Sequence, residues 1–137
     1  HTKFRNVTGL QTCALPILSP LNIFYIDRMI EYTEQKNEQF QNNVLNLYLN
    51  LVHKPEYYNI QYMPKYYKDA VTEKLYPLIH KNQYLEAILQ FMNNGEYDEK
   101  IWKDFIYFTK VSDEYRNQNF KDYFPEVYKI MEDNGDV

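Results

Sequence analysis

The sequence predicts a mainly α-helical protein with one or two β-strands. Three observations predict it. Apolar residues recur at helical spacing through most of the chain. Glycine is scarce, at three in 137 residues. One eight-residue stretch alternates with period two. Scarce glycine and helical periodicity disfavour an all-β fold, while strict alternation marks a strand.

Ser19-Pro20 is a plausible helix start, with Ser as N-cap and Pro at the first helical position, and Asn22 could cap a slightly later one. Ile23, Ile26, Ile30 and Thr33 then share one face. Glu34 to Asn43 is polar and reads as a loop. Leu45, Leu47, Leu49 and Leu51 alternate with Asn46, Tyr48, Asn50 and Val52, which gives a strand with one fully apolar face. One strand cannot bury itself, so this stretch is expected to be the remnant of a cut sheet. His53-Lys54-Pro55-Glu56 marks a turn, and Tyr57 to Met63 reads as extended or irregular.

Pro64 opens a helix with Tyr67, Ala70, Val71 and Leu75 on one face, and Pro77 ends or kinks it. A second helix runs from about Gln83, with Leu85, Ile88, Leu89 and Met92 inward. It stops at Asn93-Asn94-Gly95, where glycine suits a left-handed C′ position. Asp98 caps a third and longest helix, with Ile101, Phe105, Phe108, Ser112 and Tyr115 on one face, widened by Trp102 and Ile106. A break near Asn117 to Asn119 precedes a short terminal helix from Pro125. Glu132 to Val137 reads as a polar, frayed tail.

The first seventeen residues stand apart. Val7-Thr8-Gly9-Leu10-Gln11-Thr12-Cys13-Ala14-Leu15-Pro16-Ile17 resembles the translation of a widely used short-read sequencing adapter, and His1-Thr2-Lys3 resembles its upstream part. Processing segments are excluded from fold reasoning, and the same exclusion applies here. It removes Cys13, the one cysteine, and with it any thiolate ligand or disulfide. Without Lys3 and Arg5, thirteen basic residues face nineteen acidic ones, a net charge of −6. That balance disfavours nucleic acid, which needs clustered Lys and Arg. Fifteen Tyr and eight Phe then reflect genome composition rather than a base-stacking surface, which comes with a basic groove. No apolar run approaches the roughly 20 residues of a membrane span. A cytoplasmic protein is expected.

No catalytic motif emerges from spacing. His53 and His80 lack metal-ligand companions and read as ordinary surface or partly buried histidines. His53 lies just past the strand's C-terminal end, the edge where α/β sheets bind ligands. The Glu96/Asp98/Glu99 and Glu132/Asp133 clusters read as helix-start charge and solvated tail. Asp113 and Arg116 are three apart and can pair on a helix surface. Phe120 and Phe124, four apart, would anchor the final turn, so Asp113 to Glu126 reads as a structural clasp.

Three stretches carry a family resemblance: Asn22 to Asp27, Leu49 to Pro64, and the closing pattern Thr109, Asp113, Arg116, Phe120, Phe124, Pro125, Glu126. In order and spacing they resemble the C-terminal part of twitch-type radical SAM proteins, a group found in phage and environmental sequences. The resemblance implies a partial α/β barrel that binds S-adenosylmethionine and a four-iron, four-sulfur cluster. The family holds the cluster on a Cys-x₃-Cys-x₂-Cys loop, which this chain lacks. On that basis residues 18–63 are the last helix and strand of the barrel and 64–137 its C-terminal helical region. The chain alone would be inactive, and its partner would be the missing N-terminal half. Asn50 and His53 lie where the family's last strand approaches the cofactor. Asp113, Arg116, Phe120, Phe124, Pro125 and Glu126 carry over as a structural signature. The alternative is a small stand-alone helical interaction protein, such as a phage module, whose helices alone would cover the alternating stretch.

Overall fold

The computed structural model describes residues 12–41 and 45–137. The first part of the adapter-like stretch, through Gln11, lies outside the described residues. Two short strands, β1 (Thr12–Ala14) and β2 (Ile17–Leu18), lead through a 3-10 turn at Ile23–Tyr25 into α1 (Ile26–Gln39). Strands β3 (Leu45–Leu47) and β4 (Asn50–Leu51) follow. Then come 3-10 turns at Glu56–Tyr58 and Ile60–Tyr62, α2 (Lys65–Leu75), a 3-10 stretch at Tyr76–Lys81, α3 (Leu85–Asn94), α4 (Glu99–Arg116), α5 (Phe120–Tyr123) and α6 (Pro125–Asp133). The protein is mainly helical, as its periodicity predicts.

The alternating stretch was expected to be alone, and it has a partner. β1 runs parallel to β3, with Ala14 opposite Leu47, and β2 runs parallel to β4, with Leu18 opposite Leu51. A parallel pair needs a crossover of a dozen or more residues, and α1 supplies it with 14. Tyr48, Asn50 and Val52 donate their N–H groups to the carbonyls of Ala14, Pro16 and Leu18. The intervening leucines therefore turn their backbone groups to the opposite edge. Leu47 and Leu49 are buried, as the alternation predicts.

Helix α1 is longer than its apolar face. Residues 34–39, expected to be loop, are helical. Glu, Gln and Lys propagate helices well without apolar residues, and Asn37 gives the last turn a tertiary anchor described below. Ile23, Ile26 and Ile30 are buried. Helices α2 and α3 bury Tyr67, Val71 and Leu75, and Leu85, Ile88, Leu89 and Met92, as their spacing predicts.

Gly95 is not left-handed; its φ is −79° and ψ 150°. Glycine is needed there because the chain passes against Gln61, where a β-carbon would meet backbone. The buried stripe of α4 also differs from the expected one. Trp102 and Phe105 are buried, whereas Phe108 and Tyr115 are exposed. Trp102 and Phe105 stack with centroids 4.8 Å apart, Tyr67 meets Trp102 edge-on, and Tyr57 stacks on Phe108 at 4.7 Å. Each such pair adds about 0.5–1.5 kcal/mol beyond burial, so α4 is placed by aromatic contacts more than by a simple stripe. One apolar core, from Leu18 to Met131, joins all these elements.

The tail is pinned rather than frayed. Gly135, at φ +79°, closes a left-handed cap on α6, with Gly135 N–H donating to Glu132 O and Asp136 N–H to Met131 O. That pairing is the Schellman pattern. It turns the Asp136 carboxylate inward, where it accepts from the Tyr66 hydroxyl and, at 2.8 Å, from Trp102 Nε1.

Candidate functional site

Asparagine amides close one edge of the strand ribbon. Asn37 on α1 accepts the Leu45 N–H at 2.9 Å and donates to Leu45 O at 3.0 Å. A side-chain amide thus pairs as the peptide unit of a neighbouring strand would. Asn82 donates to Leu47 O at 3.0 Å. Unpaired strand edges invite association, and capping them prevents it. The opposite edge, along Thr12 to Leu18, differs. Asn22 occupies the Ile17 carbonyl at 2.9 Å, and no further strand flanks this edge among the described residues. Leu15 and Ile17 are 62% and 59% exposed, whereas Leu18 is fully buried.

The two residues predicted for a cofactor lie at the C-terminal end of the ribbon. Asn50 begins β4, is exposed, and donates its side-chain amide to Tyr48 O at 3.3 Å. His53 is exposed and meets Phe91 edge-on, with centroids 5.6 Å apart. Their side chains engage different neighbours, and they form no cradle. A four-iron cluster needs a set of thiolates. The chain has one cysteine, and no group of three His, Cys, Asp or Glu is placed to hold a metal among the described residues. One cysteine cannot by itself supply that set.

The C-terminal signature forms a joint. Asn117 turns left-handed at φ 52° and ends α4, while Gln118 N–H donates to Asp113 O at 2.9 Å. The Asp113 carboxylate then accepts the Phe120 N–H at 2.7 Å, serving the orphan amides at the start of α5. Phe120 is buried and packs on Phe124 at 5.3 Å, and Phe124 packs on Tyr25 at 5.7 Å. Pro125 opens α6, with its missing N–H falling where none is needed. Glu126 reaches Arg28 at 3.5 Å across the surface, a weak exposed pair. Arg116 is exposed and does not pair with Asp113 among the described residues; its charge instead acts on Tyr58, opposing the upward pull of burial on that phenol. Asp113→Ala should cost about 1 kcal/mol, as loss of a helix cap does. Denaturant unfolding measures it, and a wild-type midpoint would remove Asp113 from the joint.

Two polar features were missed at the level of sequence. Lys68 is buried on the apolar face of α2, donating to Gln61 O at 2.6 Å and Gly95 O at 2.7 Å. Burial pulls its ammonium down, and the two carbonyls oppose that by favouring the charged form. Its signal was its place on the stripe, three residues before Val71 and seven before Leu75. Lys74 donates to Phe24 O at 2.8 Å, lies 4.0 Å from the centre of the Phe24 ring and 3.3 Å from Asp27 Oδ1. That carboxylate oxygen is buried without a well-directed hydrogen bond, so Lys74 serves it by charge. Each lysine ties α2 to backbone carbonyls of other segments. Both act as staples, and neither faces a reacting group.

These features hold shape: a capped strand edge, a helical joint and buried staples. No helix among the described residues is long and apolar enough to cross a membrane. Compared with protein-family models, curated proteins and solved structures, the chain matches none.

Proposed function

We propose that this chain is the closing segment of a twitch-type radical SAM enzyme. It supplies, in residues 18–63, the last helix and strand of a partial α/β barrel, with a helical joint behind them. Its own role is structural. In this reading the missing N-terminal half carries the iron–sulfur cluster and S-adenosylmethionine, and the whole enzyme works in the cytoplasm.

The asymmetry of the ribbon's edges carries the reading. The outermost strand of an open parallel sheet needs one edge closed against further pairing and one edge joined to the strands before it. Asn37 and Asn82 close one edge of β3. Among the described residues the other edge of the alternating stretch is met only by β1 and β2, which apart from Leu18 lie in the adapter-like stretch. In this reading the native neighbour strand belongs to the missing N-terminal half. The exposure pattern supports a boundary at Leu18. Leu15 and Ile17, inside the adapter-like stretch, leave their apolar side chains largely in water, and Leu18 is the first fully buried residue among those described, although Ala14 also touches the core.

One observation favours the alternative, a small stand-alone helical interaction protein. Leu47 and Leu49 are buried within the chain's own core. Resequencing the source DNA upstream of the Leu18 codon separates the two. The expected result is an open frame continuing into a barrel-like sequence with a Cys-x₃-Cys-x₂-Cys loop. Native DNA encoding His1 to Ile17, or a start codon beside Leu18, would overturn the proposal and leave the stand-alone protein.

A further inference from the structure

Behind the C-terminal joint, between α4 and α6, lies a cavity of about 230 Å³. Phe105, Ile106, Phe120, Tyr128 and Met131 form its apolar walls. Thr109 also lines it, and Thr109 Oγ1 is buried without a hydrogen-bond partner. A helical threonine ordinarily bonds back to a carbonyl one turn earlier. Here it does not, and a buried hydroxyl left unpaired forfeits its hydration with nothing in return.

We propose that this cavity is a binding site for a neutral single-ring aromatic molecule carrying one hydrogen-bonding group, of the phenol type. Size fits first. A dry apolar cavity of roughly 150 Å³ takes benzene, so this one has room for a ring with a substituent. The polar atom fits next. A ligand hydroxyl placed against Thr109 satisfies the orphan group while the ring fills the apolar walls. The rim argues for a neutral occupant. Lys110 and Asp113 bring one charge of each sign to it, and the C-terminal Val137 lies beside them, so an anionic occupant gains no net attraction there. Asp113 and Asn119 are already engaged, accepting the N–H groups of Phe120 and Lys121 at 2.7 and 2.9 Å. Among the described residues Thr109 Oγ1 is the buried side-chain polar atom of this cavity without a hydrogen bond, and a lone water held there against apolar walls would find few of the two to four partners it needs. The site is independent of the barrel reading, since it is built from α4, α5, α6 and the adjoining Asn119 and Val137.

The test uses the full 137-residue chain with phenol, benzene and benzoate, read by thermal shift and by ligand-observed NMR. Phenol is expected to raise the unfolding midpoint and to bind about fivefold more tightly than benzene, the worth of one net hydrogen bond. In Thr109→Val the preference for phenol should fall to about one, and in Thr109→Ser it should persist. Should the valine variant fail to fold, NMR contacts between phenol ring protons and the methyl groups of Ile106 and Met131 in the unaltered protein decide the matter. Three results would overturn the proposal: no binding by phenol at millimolar concentration, a preference that survives Thr109→Val, or absent contacts to Ile106 and Met131. Benzoate binding more tightly than phenol would overturn the assignment to a neutral ligand.

Discussion

Gly95→Ala is expected to lower the unfolding free energy by about 3 kcal/mol, the upper end of what overpacking costs. A β-carbon at Gly95 would lie 2.3 Å from Gln61 Cβ, 2.7 Å from Gln61 O and 2.8 Å from Gln61 Cα. The last two are backbone atoms and cannot swing aside as a side-chain tip can. Retreat of Gln61 is also opposed. Its carbonyl accepts from Lys68, its N–H donates to Asn59 Oδ1, and its side-chain amide donates to Phe91 O. Since φ at Gly95 is open to any residue, the penalty comes from contact alone. Denaturant unfolding of the two proteins measures it. A loss below about 1 kcal/mol, less than overpacking ordinarily costs, would mean that this junction relaxes freely and that Lys68 staples nothing rigid.

Above about pH 10, stability should fall by about 1.4 kcal/mol per pH unit through Tyr67 alone. Tyr67 is fully buried, its hydroxyl donates to Pro20 O, and burial holds its pKa well above the ordinary phenol value. An unfolded tyrosine ionises near pH 10. Beyond that pH the unfolded chain sheds a proton that the native state keeps, so rising pH favours unfolding. The contribution is complete below about pH 10 and is lost as pH climbs toward the folded value. Tyr66 acts in the same direction, raised by burial first and then by its hydrogen bond to Asp136; being partly exposed, it adds less. Urea unfolding at several pH values, followed with phenolate absorbance, tests the linkage. Tyr67→Phe should flatten the slope by one proton. A wild-type stability that stays level well past the phenol range would show that Tyr67 ionises in place.

Local periodicity was a good guide wherever one helix face meets the core. Leu85, Ile88, Leu89 and Met92 are the residues that α3 buries, and Leu47 and Leu49 are the inward leucines of the alternating stretch. Asp98 caps α4 by accepting the Ile101 N–H, and Pro125 opens α6. Within the closing stretch the Phe120–Phe124 contact was legible because the two are four apart, whereas Asp113 caps Phe120 rather than pairing with Arg116, and Phe124 also meets the remote Tyr25. Asn50 opens β4 and His53 lies just past it, but spacing could not say that their side chains turn to Tyr48 and Phe91.

Tertiary structure decided the rest, and in each case the deciding partner is remote. Glu34 to Gln39 carries no apolar stripe, so its helix had no periodic mark. Its anchor is Asn37 on the Leu45 backbone. The partner of the alternating strand came from a segment set aside as foreign. Tyr66 holds Asp136 from 70 residues away, so a polar tail that looks solvated is in fact docked. Gly95 read as a helix stop, and Lys68 went unmarked, until the chain folded back on Gln61. Burial recurs with each helix turn and is written in a short window of sequence. Pairing across elements depends on which distant segments approach, and that is settled by packing of the whole core.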